Sequence, residues 1–209
     1  MFYYEDQAKD KGFDLIVGID EAGRGPLAGP VVAAAVCLKT RMFENKISDS
    51  KKLTPNLREK AFHEILQNSY VGVGIMNEQV VDAVNILEAT FLAMTAAVFH
   101  LVRHLPLSKN TSHLMLKKIC LLIDGNSFKS ELPYTYKTII NGDNLSCSIA
   151  CASIVAKVTR DRILSVYDRI YPEYDFKSHK GYPTQNHRKA IQQYGLSMIH
   201  RHSFKTSFA

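Results

Sequence analysis

The sequence predicts an α/β fold: a mixed sheet covered by helices. Two observations carry this. Short apolar runs bounded by glycine and proline come first and read as a strand meander. Further short runs then alternate with long helical stripes, as in strands packed under helices. The chain has 209 residues, 46% of them hydrophobic, which suits one domain with a real core and argues against disorder.

Taken in order, Asp14–Asp20 (DLIVGID) reads as a buried strand ending in a carboxylate, and the turn EAGRGPLAGP leads to a second apolar strand, Val31–Leu38. A Gly/Pro connection between such runs predicts antiparallel neighbours. Thr54 before Pro55 is a helix start, and Leu57, Ala61 and Ile65 recur on one face of the predicted helix. Tyr70–Met76 alternates like a third strand. Asn77 is read as the cap of one long helix with the stripe Val80, Val84, Leu87, Phe91, Met94, Val98, Leu101 and Leu105. Ile119–Asp124 is a fourth strand ending in aspartate, and Tyr134–Ile140 a fifth ending shortly before Asp143. Ser146–Ile170 is a helix rich in small residues that stops before Pro172, and Thr184 caps a last helix that stops at Gly195.

The formal charge of +6 favours acidic partners, nucleic acid first. The polar start MFYYEDQAKDKGF is unlike a signal peptide, and charged residues interrupt the most apolar stretch, Asn77–Leu105, so no membrane span is expected. None of the four cysteines, Cys37, Cys120, Cys147 and Cys151, forms a C-x-x-C pair, and all sit among apolar or small residues. They read as reduced thiols in a cytoplasmic protein.

The acids fall where chemistry collects in such a sheet, beyond the strand ends. Asp20 closes one apolar strand with Glu21 next to it, Asp124 closes another, and Asp143 follows the fifth. Several acids brought together are costly unless a cation neutralises them, and oxygen-only ligands suit Mg²⁺ or Mn²⁺. Two such ions can cleave a phosphodiester. Neighbours in a strand point to opposite faces, so Asp20 and Glu21 can share a site only if the strand ends or bends between them. A strand-end aspartate taken singly is more often a turn or capping residue. The turn lacks G-x-x-x-x-G-K-[ST], which argues against a nucleotide-triphosphate site, while Gly23-Arg24-Gly25 offers exposed backbone beside the acids. Ser50, Lys51, Lys157, Arg160 and Tyr182 supply phosphate-contacting and stacking side chains nearby. His100 and His104 are spaced like helix metal ligands but have no glutamate between them, and read as helix surface.

G-I-D-E-A-G-R-G-P-L-A-G-P (Gly18–Pro30), D-S-K-K-L (Asp49–Leu53), I-D-G-N (Ile123–Asn126), G-D-N (Gly142–Asn144), A-S-I-V-A-K-V-T-R-D-R (Ala152–Arg162), H-K-G-Y-P-T (His179–Thr184) and H-R-H-S-F (His200–Phe204) follow one another along nearly the whole chain. Together they closely resemble the ribonuclease HII family. The resemblance implies a ribonuclease H-like fold, a mixed five-stranded sheet flanked by helices, with a helical C-terminal part over about residues 172–209 in one catalytic domain. It implies two metal ions, Mn²⁺ or Mg²⁺, held by Asp20, Glu21, Asp124 and Asp143. It further implies that the Gly23-Arg24-Gly25 backbone meets a ribose 2′-hydroxyl and that Tyr182 stacks beneath the next sugar. The expected substrates are RNA–DNA hybrids and duplex DNA with embedded ribonucleotides, cut 5′ to the ribonucleotide to leave 3′-hydroxyl and 5′-phosphate ends. A monomer without an obligate protein partner is expected. His202 departs from the arginine more usual in the last block. The alternatives are another nuclease of this fold, a DEDD exonuclease or a resolvase, and a non-catalytic hybrid-binding protein. Neither rival nuclease has the G-R-G turn together with H-K-G-Y-P-T, and a pure binder would be expected to have lost one of the acids.

Overall fold

The computed structural model describes residues 1–48, 50, 52–105 and 118–204. In chain order these form α1 (Tyr3–Asp10), β1 (Leu15–Ala22), β2 (Val31–Leu38), α2 (Pro55–Asn68), β3 (Ser69–Met76), α3 (Glu78–Val84), α4 (Ile86–His104), β4 (Ile119–Asp124), β5 (Thr135–Ile139), α5 (Gly142–Leu145), α6 (Cys147–Ile170), α7 (Phe176–His179) and α8 (Gln185–Tyr194). A 3₁₀ turn at Pro172–Tyr174 separates α6 from α7.

The five strands lie in the order β3-β2-β1-β4-β5. β1 pairs antiparallel with β2, and β2 with β3, which is the predicted meander. β4 joins β1 in parallel and β5 joins β4 in parallel. Parallel pairing puts the C-terminal ends of β1, β4 and β5 at one edge, and the register Ile19↔Ile123 sets Asp20 level with Asp124. The strand-end acids are thereby delivered to one place.

Both faces of the sheet are covered. Val17, Ile19, Ala33, Ala35, Leu121 and Ile123 pack with Ala93, Met94, Ala97, Val98 and Leu101 of α4. Ala34, Val36, Cys151, Ala152 and Val155 pack on the opposite face, where α6 lies with α2. The small residues of α6 let it lie close to the sheet. A Cβ at Gly18 would fall on the backbone of Ser148 and Ile149, so only glycine permits this approach. A third cluster joins Leu27 and Ala28 of the glycine-rich turn to Leu164, Phe176, Ile191 and Ile199, which seats the C-terminal part against that turn.

The predicted single helix over 77–105 is in fact two. Asn77 caps α3 through its side chain, but Asn85 adopts φ 72 and caps α4 by accepting from Leu87 and Glu88 N–H. The chain turns at Asn85, so Val84 and Leu87, expected in the core stripe, are exposed, while Phe91 to Leu105 follow it. Leu57 is likewise exposed, because α2 buries Ala61, Phe62 and Ile65 instead. α4 does have the length and composition to cross a membrane, contrary to expectation. Its fully buried residues are the ones that cover the sheet. All four cysteines are buried and unpaired.

Candidate active site

A cavity of about 360 Å³ opens at the C-terminal edge of β1 and β4. Its walls include Asp20, Glu21, Gly23, Arg24, Gly25, Ser50, Asp124, Lys157, Arg160 and Tyr182, all singled out from the sequence, together with Ala22 and Ser153. Of the two ways expected for Asp20 and Glu21 to share a site, an end or a bend of the strand, β1 does not end between them: its pairing with β2 runs on to Ala22. Both residues nonetheless line the cavity.

Asp20 is 5% exposed. Its carboxyl is held well above the usual range, first by burial, then by the negative charges of Glu21 and Asp124; hydrogen bonds from Ser153 and the Glu21 N–H oppose this. Ser153 and Ser50 share a 3.0 Å hydrogen bond. Asp124 Oδ1 accepts from the Gly142 N–H at 2.7 Å, tying the end of β4 to the first residue of α5. Asp143, the next residue, is buried and its Oδ1 accepts from Asn144 at 2.8 Å. It is not among the described residues that line the cavity, and it directly follows Gly142, whose N–H holds Asp124. Lys51, also expected here, lies outside the described residues.

No three His, Cys, Asp or Glu side chains among the described residues converge as a closed metal cage. The donor set still fits a hard divalent cation. Asp20, Glu21 and Asp124 offer only oxygen, and the electrostatics at Asp20 are those that a positive charge would relieve. Glu21 and Arg24 form an ion pair at 3.3 Å, and Lys157 pairs with Asp161 at 2.7 Å.

The glycine-rich turn is gripped by two buried guanidinium groups. Arg160 donates to the carbonyls of Pro30 (2.9 Å), Ala28 (3.0 Å) and Lys180 (2.9 Å). From the sequence Arg160 was a candidate phosphate contact; the structure commits it to backbone. Arg201, which no sequence argument assigned, donates to the carbonyls of Gly23 (2.6 Å), Arg24 (3.0 Å), Pro26 (2.9 Å) and Gly29 (2.7 Å). Burial lowers the pKa of Arg160 to about 10 and that of Arg201, which also feels Arg160, to about 9; both stay charged at neutral pH. The turn is further stitched to the C-terminal segment by Gly29 N–H to Ile199 O and Arg201 N–H to Leu27 O, both 2.8 Å. Gly23 sits at φ +101 against Arg160, where a side chain has neither the conformation nor the room.

Ser153 was also missed. It lies four residues before Lys157, one helical turn along the face that meets the cavity, and that spacing was the available signal.

A mixed sheet with acids at its adjoining strand ends, beneath a pinned glycine turn, defines a nuclease of the ribonuclease H-like class. The family described as Ribonuclease HII matches residues 17–207. The ribonuclease HII of Syntrophus aciditrophicus (strain SB) is 47% identical over 206 residues, covering 98% of this chain and 91% of that one. The chain belongs to the ribonuclease HII family, and is an endoribonuclease acting on nucleic acid. Two solved structures share the fold. The PCNA:RNase HII complex from Archaeoglobus fulgidus matches with TM-score 0.72 at 23% identity, covering 91% of this chain and 95% of that one. Bst-RNase HIII in complex with Mn²⁺ matches with TM-score 0.67 at 15% identity, covering 95% and 70%.

Proposed function

We propose that the protein hydrolyses the phosphodiester 5′ to a ribonucleotide, in RNA–DNA hybrids and at single ribonucleotides in duplex DNA, leaving 3′-hydroxyl and 5′-phosphate ends. The observation that carries this reading is the shared cavity, in which Asp20, Glu21 and Asp124 face the Gly23-Arg24-Gly25 backbone and the Tyr182 ring. Only a ribose presents a 2′-hydroxyl, and a fixed backbone turn beside the cutting site suits its recognition.

Asp20, Glu21, Asp124 and Asp143 would hold the cations. Two Mg²⁺ or Mn²⁺ ions held there would supply an activated water and charge stabilisation for the departing oxygen; the fold neighbour bound to Mn²⁺ supports that choice. Ser153 and the Glu21 N–H orient the Asp20 carboxylate. Arg201 and Arg160 fix the turn before substrate arrives, so binding energy is not used to order it. Tyr182, 42% exposed, presents its ring as a platform for the adjoining sugar. Ser50, Lys51 and Lys157 contact phosphates, and Lys157 has donors left beyond its bond to Asp161. Arg160 acts through the turn and through Lys180. The chain acts as one catalytic domain and a monomer, needs no protein partner, and resides in the cytoplasm, in keeping with its buried, unpaired thiols.

A DNA duplex with one embedded ribonucleotide tests this in Mg²⁺, Mn²⁺ or EDTA, with products mapped at nucleotide resolution. A single metal-dependent cut on the 5′ side is expected. Cutting only within runs of ribonucleotides would overturn the single-ribonucleotide specificity, and hydrolysis in EDTA would overturn the metal site.

A further inference from the structure

Next to Tyr182 lies a cluster of three histidines, none of which lines the cavity. Nε2 of His187 is 3.0 Å from Nε2 of His200, and the rings of His179 and His187 stack at 4.2 Å. His187 and His200 are essentially inaccessible, at 0% and 1% exposure.

The partners of these rings fix their tautomers. Nδ1 of His200 accepts from the Ser197 backbone N–H at 2.9 Å, so its proton is on Nε2. Nδ1 of His187 is 2.9 Å from the Tyr182 carbonyl, which can only accept, so here the proton is on Nδ1 and Nε2 is an acceptor. The two assignments agree where the rings meet: His200 Nε2–H donates to His187 Nε2. A directed relay thus runs from Ser197 through His200 and His187 to the Tyr182 carbonyl. Burial lowers the pKa of both rings to about 4, so they hold this neutral state at physiological pH. By the same logic His179 accepts from the Gly181 N–H at Nδ1 (3.1 Å) and donates from Nε2 to the Tyr174 carbonyl (2.6 Å).

The segment from Lys180 to Pro183 has no regular secondary structure, and the Tyr182 ring is too exposed for packing alone to place it. Its backbone is instead held at three successive carbonyls by three different elements. Lys180 O accepts from Arg160 at 2.9 Å, Gly181 O from the Leu27 N–H at 2.8 Å, and Tyr182 O from His187, with the Thr184 N–H also on Tyr182 O at 2.8 Å. The ring edge then lies 3.5 Å from where a Cβ on Gly25 would stand, directly beside the turn.

We propose that His187, set in a single tautomer by His200, is a positioning residue that holds the Tyr182 ring at the height of the substrate sugar. This rests on the stacking role of Tyr182 proposed above. His187 touches no substrate, and acts only through the Tyr182 peptide.

The test is a double-mutant cycle read as kcat and KM on the one-ribonucleotide duplex. His187→Leu removes both hydrogen bonds; His187→Asn keeps an N–H near the position of Nδ1. His187→Leu should raise KM about tenfold, the loss of roughly one stack, with kcat changed far less. His187→Asn should recover most of that loss. In a Tyr182→Ala background His187→Leu should add nothing. Equal damage from Leu and Asn, or full additivity with Tyr182→Ala, would overturn the proposal. If Tyr182→Ala raises KM and His187→Leu does not, the proposal alone fails; if Tyr182→Ala leaves KM unchanged, the stacking reading fails and takes it along. ¹⁵N imidazole spectra of the unmodified protein give an independent answer should the variants not fold: a proton on His187 Nε2 would refute the relay.

Discussion

Replacing Arg201 with methionine tests whether the glycine-rich turn is held by one buried cation. Methionine fills much of the same volume but donates nothing. Arg201 is 0% exposed and bonds the carbonyls of Gly23, Arg24, Pro26 and Gly29, so four acceptors lose a charged donor together. Each unsatisfied buried acceptor costs about 1–3 kcal/mol. Not burying a cation offsets part of that sum, and breaking a buried charged network typically costs about 3–5 kcal/mol net. For a chain of this size that lowers Tm by roughly 6–20 °C. Thermal and urea unfolding would measure the loss, and cutting assayed well below the melting temperature would measure what the loosened turn does to turnover. Arg201→Lys should recover little, because a single ammonium cannot reach four carbonyls arranged for a planar fork. A Tm within about 3 °C of the parent, with cutting unchanged, would refute the reasoning.

Three further outcomes follow from the geometry. Asp20→Asn should abolish cutting and, in EDTA near neutral pH, melt no lower than the parent. A carboxyl whose folded pKa is raised loses its stabilising contribution as pH rises through that pKa, and asparagine escapes this. A divalent cation at a hundred times its Kd should then stabilise the parent by about 2.7 kcal/mol and the variant by less; equal stabilisation of both would sink the site assignment. Gly18→Ala should cost at least about 1–3 kcal/mol in urea unfolding and impair cutting, because the new Cβ drives α6, with Ser153, Lys157 and Arg160, away from β1. His187 and His200 have folded pKa values near 4, below the ordinary histidine value, so their contribution is intact above about pH 6.5 and is lost as pH falls toward 4. Each should add a slope of about 1.4 kcal/mol per pH unit in that window, which His187→Asn should reduce.

The acids at Asp20 and Asp124 were legible because each closes an apolar run too short for a helix, and the strand end is where such a sheet gathers chemistry. The meander was legible from the Gly/Pro turn between two apolar strands. The break at Asn85 was not, because the apolar stripe continues across it and only the positive φ ends the helix. The backbone-holding roles of Arg160 and Arg201 were hidden from the sequence for a related reason. Charge argues for surface, and what overrides it is a set of carbonyls 130 and 178 positions away for the Arg160 bond to Pro30 and the Arg201 bond to Gly23. The burial of Asp143 depends on α5, too short a helix for periodicity to reveal.

The reach of Arg201 also sets an order of events in the making of the protein. Synthesis proceeds from the N-terminus, so the turn at Gly23 to Gly29 leaves the ribosome long before the residue that holds it. Asp20 can meet Asp124 once β4 has been made and Arg160 can then hold Ala28 and Pro30, yet the carbonyls of Gly23, Arg24 and Pro26 stay without their guanidinium until residue 201 has followed. A partly made chain therefore carries the acids beside a turn that is only half held. A nuclease born among RNA is completed only when nearly all of the sequence between these residues is in place.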